Sequence, residues 1–139
     1  MTTGRILVCD PDPQMQRALQ VILGGVGHKV LSTETGNEAL ESAACEQPLA
    51  VILELALPDL DGIELCQRLH ERGQMPILVL SAIDNEAAKI EALESGADDY
   101  ITKPFSRGEL VARLAARLRA APSELRFVGK SELSGRRPG

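Results

Sequence analysis

Aromatic residues and cysteines are scarce in this sequence. It has no tryptophan, one tyrosine and two phenylalanines, and only three cysteines among 139 residues. The cysteines form no CxxC pair and no cysteine–histidine cluster, which argues against a disulfide framework and against a zinc site. Because apolar residues still make up 44% of the chain, aliphatic side chains and alanine must fill the core of what the length indicates is one domain.

The sequence also lacks a long apolar run, a signal peptide and an excess of basic residues. No stretch is long and apolar enough to cross a bilayer, so we expect a soluble, cytoplasmic protein without a membrane partner. The net charge of −5 argues against nucleic-acid binding by this segment alone.

Short aliphatic runs recur along the chain and are bounded by turn residues. They are rich in valine, isoleucine and leucine, and they predict five strands that are buried on both faces. The runs are 6–8, 29–31, 49–53, 77–80 and 100–101.

Helical patterns separate these runs. Residues that favour a helix N-terminus precede three of them: Asp12 followed by Pro13, Asp61, and Ser106. In the fourth pattern Ala87, Ile90 and Leu93 repeat at helical spacing, and Gly96 is placed to end the helix. The repeated alternation predicts an α/β domain with a parallel sheet, helices on both faces, and a ligand site beyond the carboxyl ends of the strands.

Four polar residues stand where four of the predicted strands end: Asp10, Glu54, Ser81 and Lys103. Because the carboxyl ends of parallel strands share one edge of the sheet, we expect these side chains to converge. Two neighbouring carboxylates favour a cation between them, so Asp10 and Glu54 are suited to hold Mg²⁺. Ser81 and Lys103 are suited to bind a phosphoryl oxygen. Each residue alone is equally well explained as a loop cap, and only their conjunction supports a functional site.

Four segments, ILVCDPD, VILELALPDLDG, PILVLSA and SGADDYITKPF, together resemble the receiver domain of response regulators, the CheY-like phosphorylation switch of two-component signalling. The resemblance covers roughly residues 4–120. It is closest in wording to the OmpR-type transcriptional regulators, and among them to the KdpE-like potassium regulators. It implies a flavodoxin-like (βα)5 doubly wound domain with strand order 2-1-3-4-5, a role in a phosphorelay, and no enzymatic activity.

The resemblance implies a site for Mg²⁺ and for phosphorylation. Its metal ligands would be Asp10, Glu54 and the backbone carbonyl of Ala56, and Glu54 stands where the family has its phospho-accepting aspartate. Cys9 departs from the pattern, since the family usually has a second acid at that position. A thiol is a soft and poor ligand for Mg²⁺, so we expect metal binding to be weak or absent.

The resemblance also implies the parts of a switch. Ser81 corresponds to the hydroxyl that contacts the phosphoryl group, and Lys103 to the lysine that pairs with it. Tyr100 corresponds to the aromatic residue that turns inward on activation. The peptide bond between Lys103 and Pro104 is expected to be cis, which is a minority state for such bonds in general.

The glutamate at position 54 is the second departure from the family. Its extra methylene moves the carboxylate by about 1.5 Å, and an error of that size costs about a hundredfold in an aligned reaction. We therefore expect Glu54 to be a poor acceptor that is held by Lys103 and partly imitates a phosphoryl group near Ser81. A natural phosphorylation-independent receiver, an engineered substitution and a slow acceptor remain three open explanations.

Charged residues cluster in the predicted fourth helix, fifth strand and fifth helix: Lys89, Asp98, Asp99, Glu109, Arg113 and Arg117. By composition alone they describe an ordinary solvated face. The resemblance implies a homodimer through this face, with Lys89–Glu109 and Asp99–Arg113 as candidate ion pairs between subunits.

The helical pattern ends near residue 121, so we divide the chain into a receiver domain, 1–120, and a linker or tail, 121–139. Leu125, Arg126 and Phe127 resemble the start of a DNA-binding output domain, within which the chain would be cut. The implied partners are a sensor histidine kinase, unless that input has been lost, and DNA through the output domain only.

Two other classes of protein are alternatives. A haloacid-dehalogenase-like phosphotransferase would use Asp10 and Asp12 as its nucleophile motif, but it needs a longer chain and leaves the GADDY segment unexplained. A flavodoxin-like cofactor binder needs a phosphate-binding loop after the first strand, where these two acids would repel phosphate.

Overall fold

The computed structural model describes residues 4–121. Within them, strands and helices alternate as the sequence predicts. The strands are β1 (Arg5–Cys9), β2 (Lys29–Thr33), β3 (Ala50–Leu53), β4 (Ile77–Ser81) and β5 (Asp99–Thr102). The helices are α1 (Pro13–Gly24), α2 (Gly36–Glu46), α3 (Gly62–Arg72), α4 (Glu86–Glu94) and α5 (Arg107–Ala120). The tail predicted after residue 121 lies outside the described residues.

The strands form one parallel sheet in the order β2-β1-β3-β4-β5, which confirms the predicted topology. In β1, Leu7 pairs with Leu31 on one side and with Val51 on the other. The central strands β1, β3 and β4 are almost entirely buried, whereas β2 and β5 are partly exposed. The expectation that every strand would be buried on both faces was wrong for these two, because they form the edges of the sheet.

Two hydrophobic clusters attach the helices to the sheet, one on each face. Helices α1 and α5 pack on the face that carries Ile6 and Val8 of β1. Helices α2 and α3 pack on the opposite face, which carries Leu7 and Cys9. Successive residues of β1 point to opposite faces, as in any strand. The central strands are thus packed on both faces, and their carboxyl ends lie together at one edge of the sheet.

Helix α4 packs less deeply than the other helices. Its apolar repeat of Ala87, Ile90 and Leu93 predicted the helix but does not face the core, since Ile90 and Leu93 are exposed by 47% and 46%. Its buried side chain is the small Ala92. The helix contacts β5 and α3. Because β5 is an edge strand, the sheet ends there and does not cover Ile90 and Leu93.

The residues predicted to begin and end helices do so in the structure. The side chains that cap α1, α3 and α5 are those of Asp12, Asp61 and Ser106. Gly96, just beyond α4, has a left-handed φ of 119° that favours glycine. The Lys103–Pro104 peptide bond is cis, as expected from the resemblance.

Gly62, the first residue of α3, lies against the loop that follows β3. A Cβ at this position would fall 2.4 Å from the Cα of Leu55, so one backbone would have to move. We expect Gly62→Ala to lower the free energy of unfolding by about 1–3 kcal/mol, the usual range for overpacking, in urea denaturation. Gly108→Ala in α5, where a Cβ meets nothing within 4 Å, is the control and should not destabilise. A similar loss in both variants would contradict the close contact as the cause.

Candidate functional site

Four polar side chains meet at the carboxyl edge of the sheet, as their positions in the sequence predicted: Asp10 after β1, Glu54 after β3, Ser81 at the end of β4, and Lys103 after β5. Because β1 and β3 are neighbours, the two acids follow adjacent strands. Asp10, Glu54 and Ser81 are exposed by only 3%, 6% and 0%. Their polar atoms therefore depend on partners within the protein.

Both carboxylate oxygens of Glu54 accept hydrogen bonds. The donors to Oε2 are Ser81 Oγ at 2.5 Å, Leu55 N at 2.7 Å and Ala56 N at 3.2 Å. The donor to Oε1 is Lys103 Nζ at 2.9 Å. Burial by itself would raise the pKa of this carboxyl, but the bonds from Ser81, Lys103 and Ala56 outweigh burial and hold the pKa below its ordinary value. Glu54 is therefore ionised at neutral pH.

Lys103 bridges the two acids. Its ammonium group lies 2.9 Å from Asp10 Oδ2 and 2.9 Å from Glu54 Oε1, which confirms the prediction that it holds Glu54. Burial by itself would lower the pKa of Lys103, but its bonds to Glu54 and Asp10 outweigh burial and raise the pKa. Since the side chains of both acids are also nearly buried, removing Lys103 would leave the carboxylates of Asp10 and Glu54 buried without a cation.

Cys9, the first departure from the family pattern, lies in the hydrophobic core. Its side chain is fully buried, and its Sγ donates to the carbonyl of Thr35 at 3.3 Å. Burial raises the pKa of this thiol to about 12, so it is protonated and uncharged at neutral pH. A protonated thiol is no ligand for a hard cation such as Mg²⁺.

The donors at this edge do not fit a magnesium ion. In the described part of the chain, no three or more His, Cys, Asp and Glu side chains are grouped to hold a metal. The oxygens of Asp10 already accept hydrogen bonds from Asp12 N and Lys103 Nζ, and those of Glu54 are also occupied. Ala56, the predicted carbonyl ligand, is exposed, and its N–H donates to Glu54, so this backbone holds the Glu54 carboxylate through its donor side. Mg²⁺ needs oxygen atoms free to take octahedral positions.

Ser81 connects Glu54 to the loop between β4 and α4. While its hydroxyl donates to Glu54, its oxygen accepts a hydrogen bond from Ile83 N at 3.1 Å. The hydroxyl of Tyr100 donates to the carbonyl of Ile83 at 2.6 Å, and burial is the main cause that raises its pKa. The two predicted switch residues, Ser81 and Tyr100, therefore both bond to Ile83 and hold the loop from two sides.

The charged residues predicted for a dimer face form ion pairs within the chain. Arg113 lies 2.9 Å from Asp99 and 3.2 Å from Glu109, and Arg117 lies 3.8 Å from Asp99. Asp99 and Arg113, named as a candidate pair between subunits, are thus already paired in one subunit. All of these side chains except Asp99 are well exposed, and exposed pairs contribute little to stability.

Two of the predicted surface residues have other partners. Lys89 pairs with Asp84 in the β4–α4 loop at 3.0 Å, and its ammonium group lies 6.0 Å from the centre of the Tyr100 ring. Asp98 accepts a hydrogen bond from Ile77 N at 2.8 Å. Asp98 therefore links β5 to the start of β4, which is a structural role.

Sequence reasoning missed two residues that shape this edge. Gln16 on α1 is buried and donates from its amide to the carbonyls of Asp10 at 3.0 Å and Thr33 at 2.8 Å, which ties α1 to β1 and β2. Asp59, in the loop after β3, accepts hydrogen bonds from the first two N–H groups of α2 at 2.8 and 2.9 Å. A polar residue among the apolar positions of α1 was a weak signal for Gln16, whereas nothing local marks Asp59.

Comparison with known proteins finds relatives along most of the described chain. The family described as Response regulator receiver domain matches residues 6–115. The transcriptional regulatory protein KdpE of Mycobacterium tuberculosis is 45% identical over 114 residues, which are 82% of this chain and 50% of that protein. The alkaline phosphatase synthesis transcriptional regulatory protein PhoP of Bacillus subtilis is 46% identical over 124 residues, with 86% and 52% covered.

A solved structure shares the fold. The BeF3-activated N-terminal receiver domain of Klebsiella pneumoniae RstA superimposes with a TM-score of 0.80 at 36% identity, over 83% of this chain and 98% of that chain. The chain spans about half the length of the curated relatives it matches. These relatives are regulators, which confirms the prediction of a non-enzyme and disfavours the phosphotransferase and cofactor-binding alternatives. Among the helices described here, none is long and apolar enough to cross a membrane.

Proposed function

The chain belongs to the response regulator receiver domain family, and we propose that it signals without phosphorylation, with the Glu54 carboxylate taking the place of a phosphoryl group. It is the receiver domain of a two-component response regulator. The observation that carries the proposal is that Glu54 bonds to both Ser81 and Lys103. Those are the two side chains that the family resemblance assigns to the phosphoryl group.

The extra methylene of Glu54 has two consequences. It displaces the acceptor oxygen by about 1.5 Å, which spoils the alignment that phosphoryl transfer requires. The same displacement carries a negative charge to hydrogen-bonding distance of Ser81 and Lys103. A carboxylate has one negative charge where a phosphoryl group has nearly two. The proposed bias towards the signalling state is therefore partial.

The loop between β4 and α4 is the element through which this bias would reach the surface. Ser81 and Tyr100 hold the two sides of Ile83, and Lys89 of α4 pairs with Asp84 in the same loop. The acid cluster (Asp10, Glu54, Ser81 and Lys103), the loop and α4 are thus joined by direct contacts. Such a loop with two arrangements is a physical means by which one carboxylate shifts a population.

We propose the α4–β5–α5 face as the output of the switch, through a symmetric homodimer. Ile90 and Leu93 expose an apolar pair on α4, and α4 contacts β5, whose Asp99 pairs with Arg113 of α5. An apolar centre with a charged rim is the usual composition of a protein interface. In a symmetric dimer the exposed ion pairs of one copy meet those of the other and are able to exchange partners.

Sedimentation velocity of this chain and of Glu54→Ala tests the proposal. We expect weak, concentration-dependent dimerisation of this chain and dimerisation of Glu54→Ala that is weaker by at least about fivefold, the lower end of typical coupling between sites. Ile90→Glu should abolish the dimer without unfolding the domain, because Ile90 is exposed. Equal dimer affinity of this chain and Glu54→Ala would show that Glu54 does not imitate a phosphoryl group.

The setting of the domain is proposed from its relatives. We infer a receiver domain over 1–120 and a linker over 121–139 that leads to a DNA-binding output domain, in a cytoplasmic protein. Two relatives are named as transcriptional regulatory proteins and are about twice as long as the matched region. A sensor histidine kinase is the proposed input unless Glu54 has removed that step. Receiver domains typically bind Mg²⁺ for phosphorylation, and for this chain we propose weak binding or none.

A further inference from the structure

We infer that Lys103 is the resident cation of the acid cluster, in place of a divalent metal, and that Cys9 and Glu54 are matched substitutions that make this possible. The inference rests on the proposed function only in treating Asp10 and Glu54 as counterparts of the family's acids. It starts from a disagreement, since the family implies a Mg²⁺ site and the donors present do not form one.

One ammonium group lies between the two carboxylates at this edge and neutralises one of their two negative charges. Asp10 and Glu54 supply two negative charges, each 2.9 Å from the single positive charge of Lys103. Cys9 adds no charge, because its buried thiol donates to the carbonyl of Thr35 and is therefore protonated. A carboxylate at position 9 would set three negative charges around one ammonium group, which is unfavourable without a further cation.

The oxygen atoms that a metal would use already have partners. Asp10 Oδ1 accepts a hydrogen bond from Asp12 N at 2.8 Å, and Asp10 Oδ2 and Glu54 Oε1 accept from Lys103. An incoming Mg²⁺ would have to compete with the ammonium group for both acids. The two charge-assisted hydrogen bonds of Lys103, which are largely buried, oppose binding of the metal.

The two substitutions act together in this scheme. Glu54 has the length to reach Ser81 and Lys103 at once, and the neutral Cys9 lets one lysine suffice for the remaining acids. Restoring aspartate at only one of the two positions would leave either the neutral Cys9 or the longer Glu54 at the site. Restoring both would supply the three acids that the family pattern implies and should recover metal binding.

Titration with MgCl2 alone, followed by backbone amide chemical shifts, tests the inference. In this chain the signals of Asp10, Glu54 and Ala56 should not change, whereas in the Cys9→Asp/Glu54→Asp variant they should shift and saturate. The matched control is Cys9→Ser/Glu54→Asp, which should bind at least about tenfold more weakly than the double-acid variant. Saturable binding by this chain within tenfold of the double-acid variant would overturn the inference.

This titration uses neither a phosphate donor nor a dimer measurement. Saturable Mg²⁺ binding by this chain would overturn the assignment of Lys103. The proposed signalling by Glu54 would still be decided by sedimentation. Conversely, equal dimer affinity of this chain and Glu54→Ala would leave the assignment of Lys103 untouched. The two outcomes are therefore distinguishable.

Lys103→Met supplies an independent check. Without the ammonium group the two carboxylates face each other, so added MgCl2 should raise the melting temperature of this variant but not that of the parent chain. NaCl at equal ionic strength controls for general screening. A melting temperature of Lys103→Met that does not respond to MgCl2 would overturn the role of Lys103 as the cation, and the chemical-shift titration decides the question if this variant fails to fold.

Discussion

Incubated with acetyl phosphate and MgCl2, this chain should remain unphosphorylated, and the Cys9→Asp/Glu54→Asp variant should gain the mass of one phosphoryl group. The physical reason is position: the Glu54 carboxylate is displaced by about 1.5 Å and both of its oxygens are bonded. We expect the initial rate of the double variant to exceed that of this chain by at least about a hundredfold. Intact mass spectrometry over time measures both.

Single variants separate the two departures from the family pattern. Glu54→Asp alone corrects the position of the acceptor but keeps the neutral Cys9, so its rate should lie between those of this chain and the double variant. Glu54→Gln has no carboxylate and should acquire no phosphoryl group at this position. Peptide mapping that locates a phosphoryl group on Glu54 of this chain would refute the explanation.

The second large effect is on stability. Lys103→Met should lower the free energy of unfolding by about 3–5 kcal/mol at neutral pH, the cost of removing one partner of a buried ion pair. The carboxylates of Asp10 and Glu54, whose side chains are only 5% and 8% exposed, would lose their cation. Urea denaturation measures the loss. Lys29→Met, at an exposed position of β2, is the control and should stay within about 0.5 kcal/mol, and an equal effect in both variants would refute the bridge as the cause.

This stabilisation should be confined to a range of pH. The pKa of Glu54 is lowered in the folded chain, so its contribution is present above the pKa of the unfolded carboxyl and is lost as the pH falls through the folded pKa. The pKa of Lys103 is raised, so its contribution is present below the pKa of an unfolded lysine and is lost as the pH rises through the folded pKa. The difference between this chain and Lys103→Met should therefore be largest near neutral pH. A difference that persists unchanged after Glu54 is protonated would contradict this account.

The sequence by itself determined the fold and the members of the acid cluster. Both depend on local patterns: short aliphatic runs, caps such as Asp12, and the alternation of strand with helix. Because a parallel sheet gathers the carboxyl ends of its strands at one edge, the meeting of Asp10, Glu54 and Ser81 follows from their places in the chain. The approach of Lys103 to Glu54 followed from the cost of leaving a buried carboxylate unpaired.

Only the tertiary structure decided which polar atoms form hydrogen bonds with each other and which helix faces are exposed to solvent. The periodicity of α4 predicted a helix but not that Ile90 and Leu93 would be exposed, because that depends on how closely the helix lies against β5 and α3. Burial of Gln16 and the structural bond of Asp98 likewise depend on segments that are distant in sequence. The occupation of both Glu54 oxygens, which disfavours a metal, required the positions of donors from several strands and loops. Such distances arise from the packing of whole elements, which local sequence patterns do not encode.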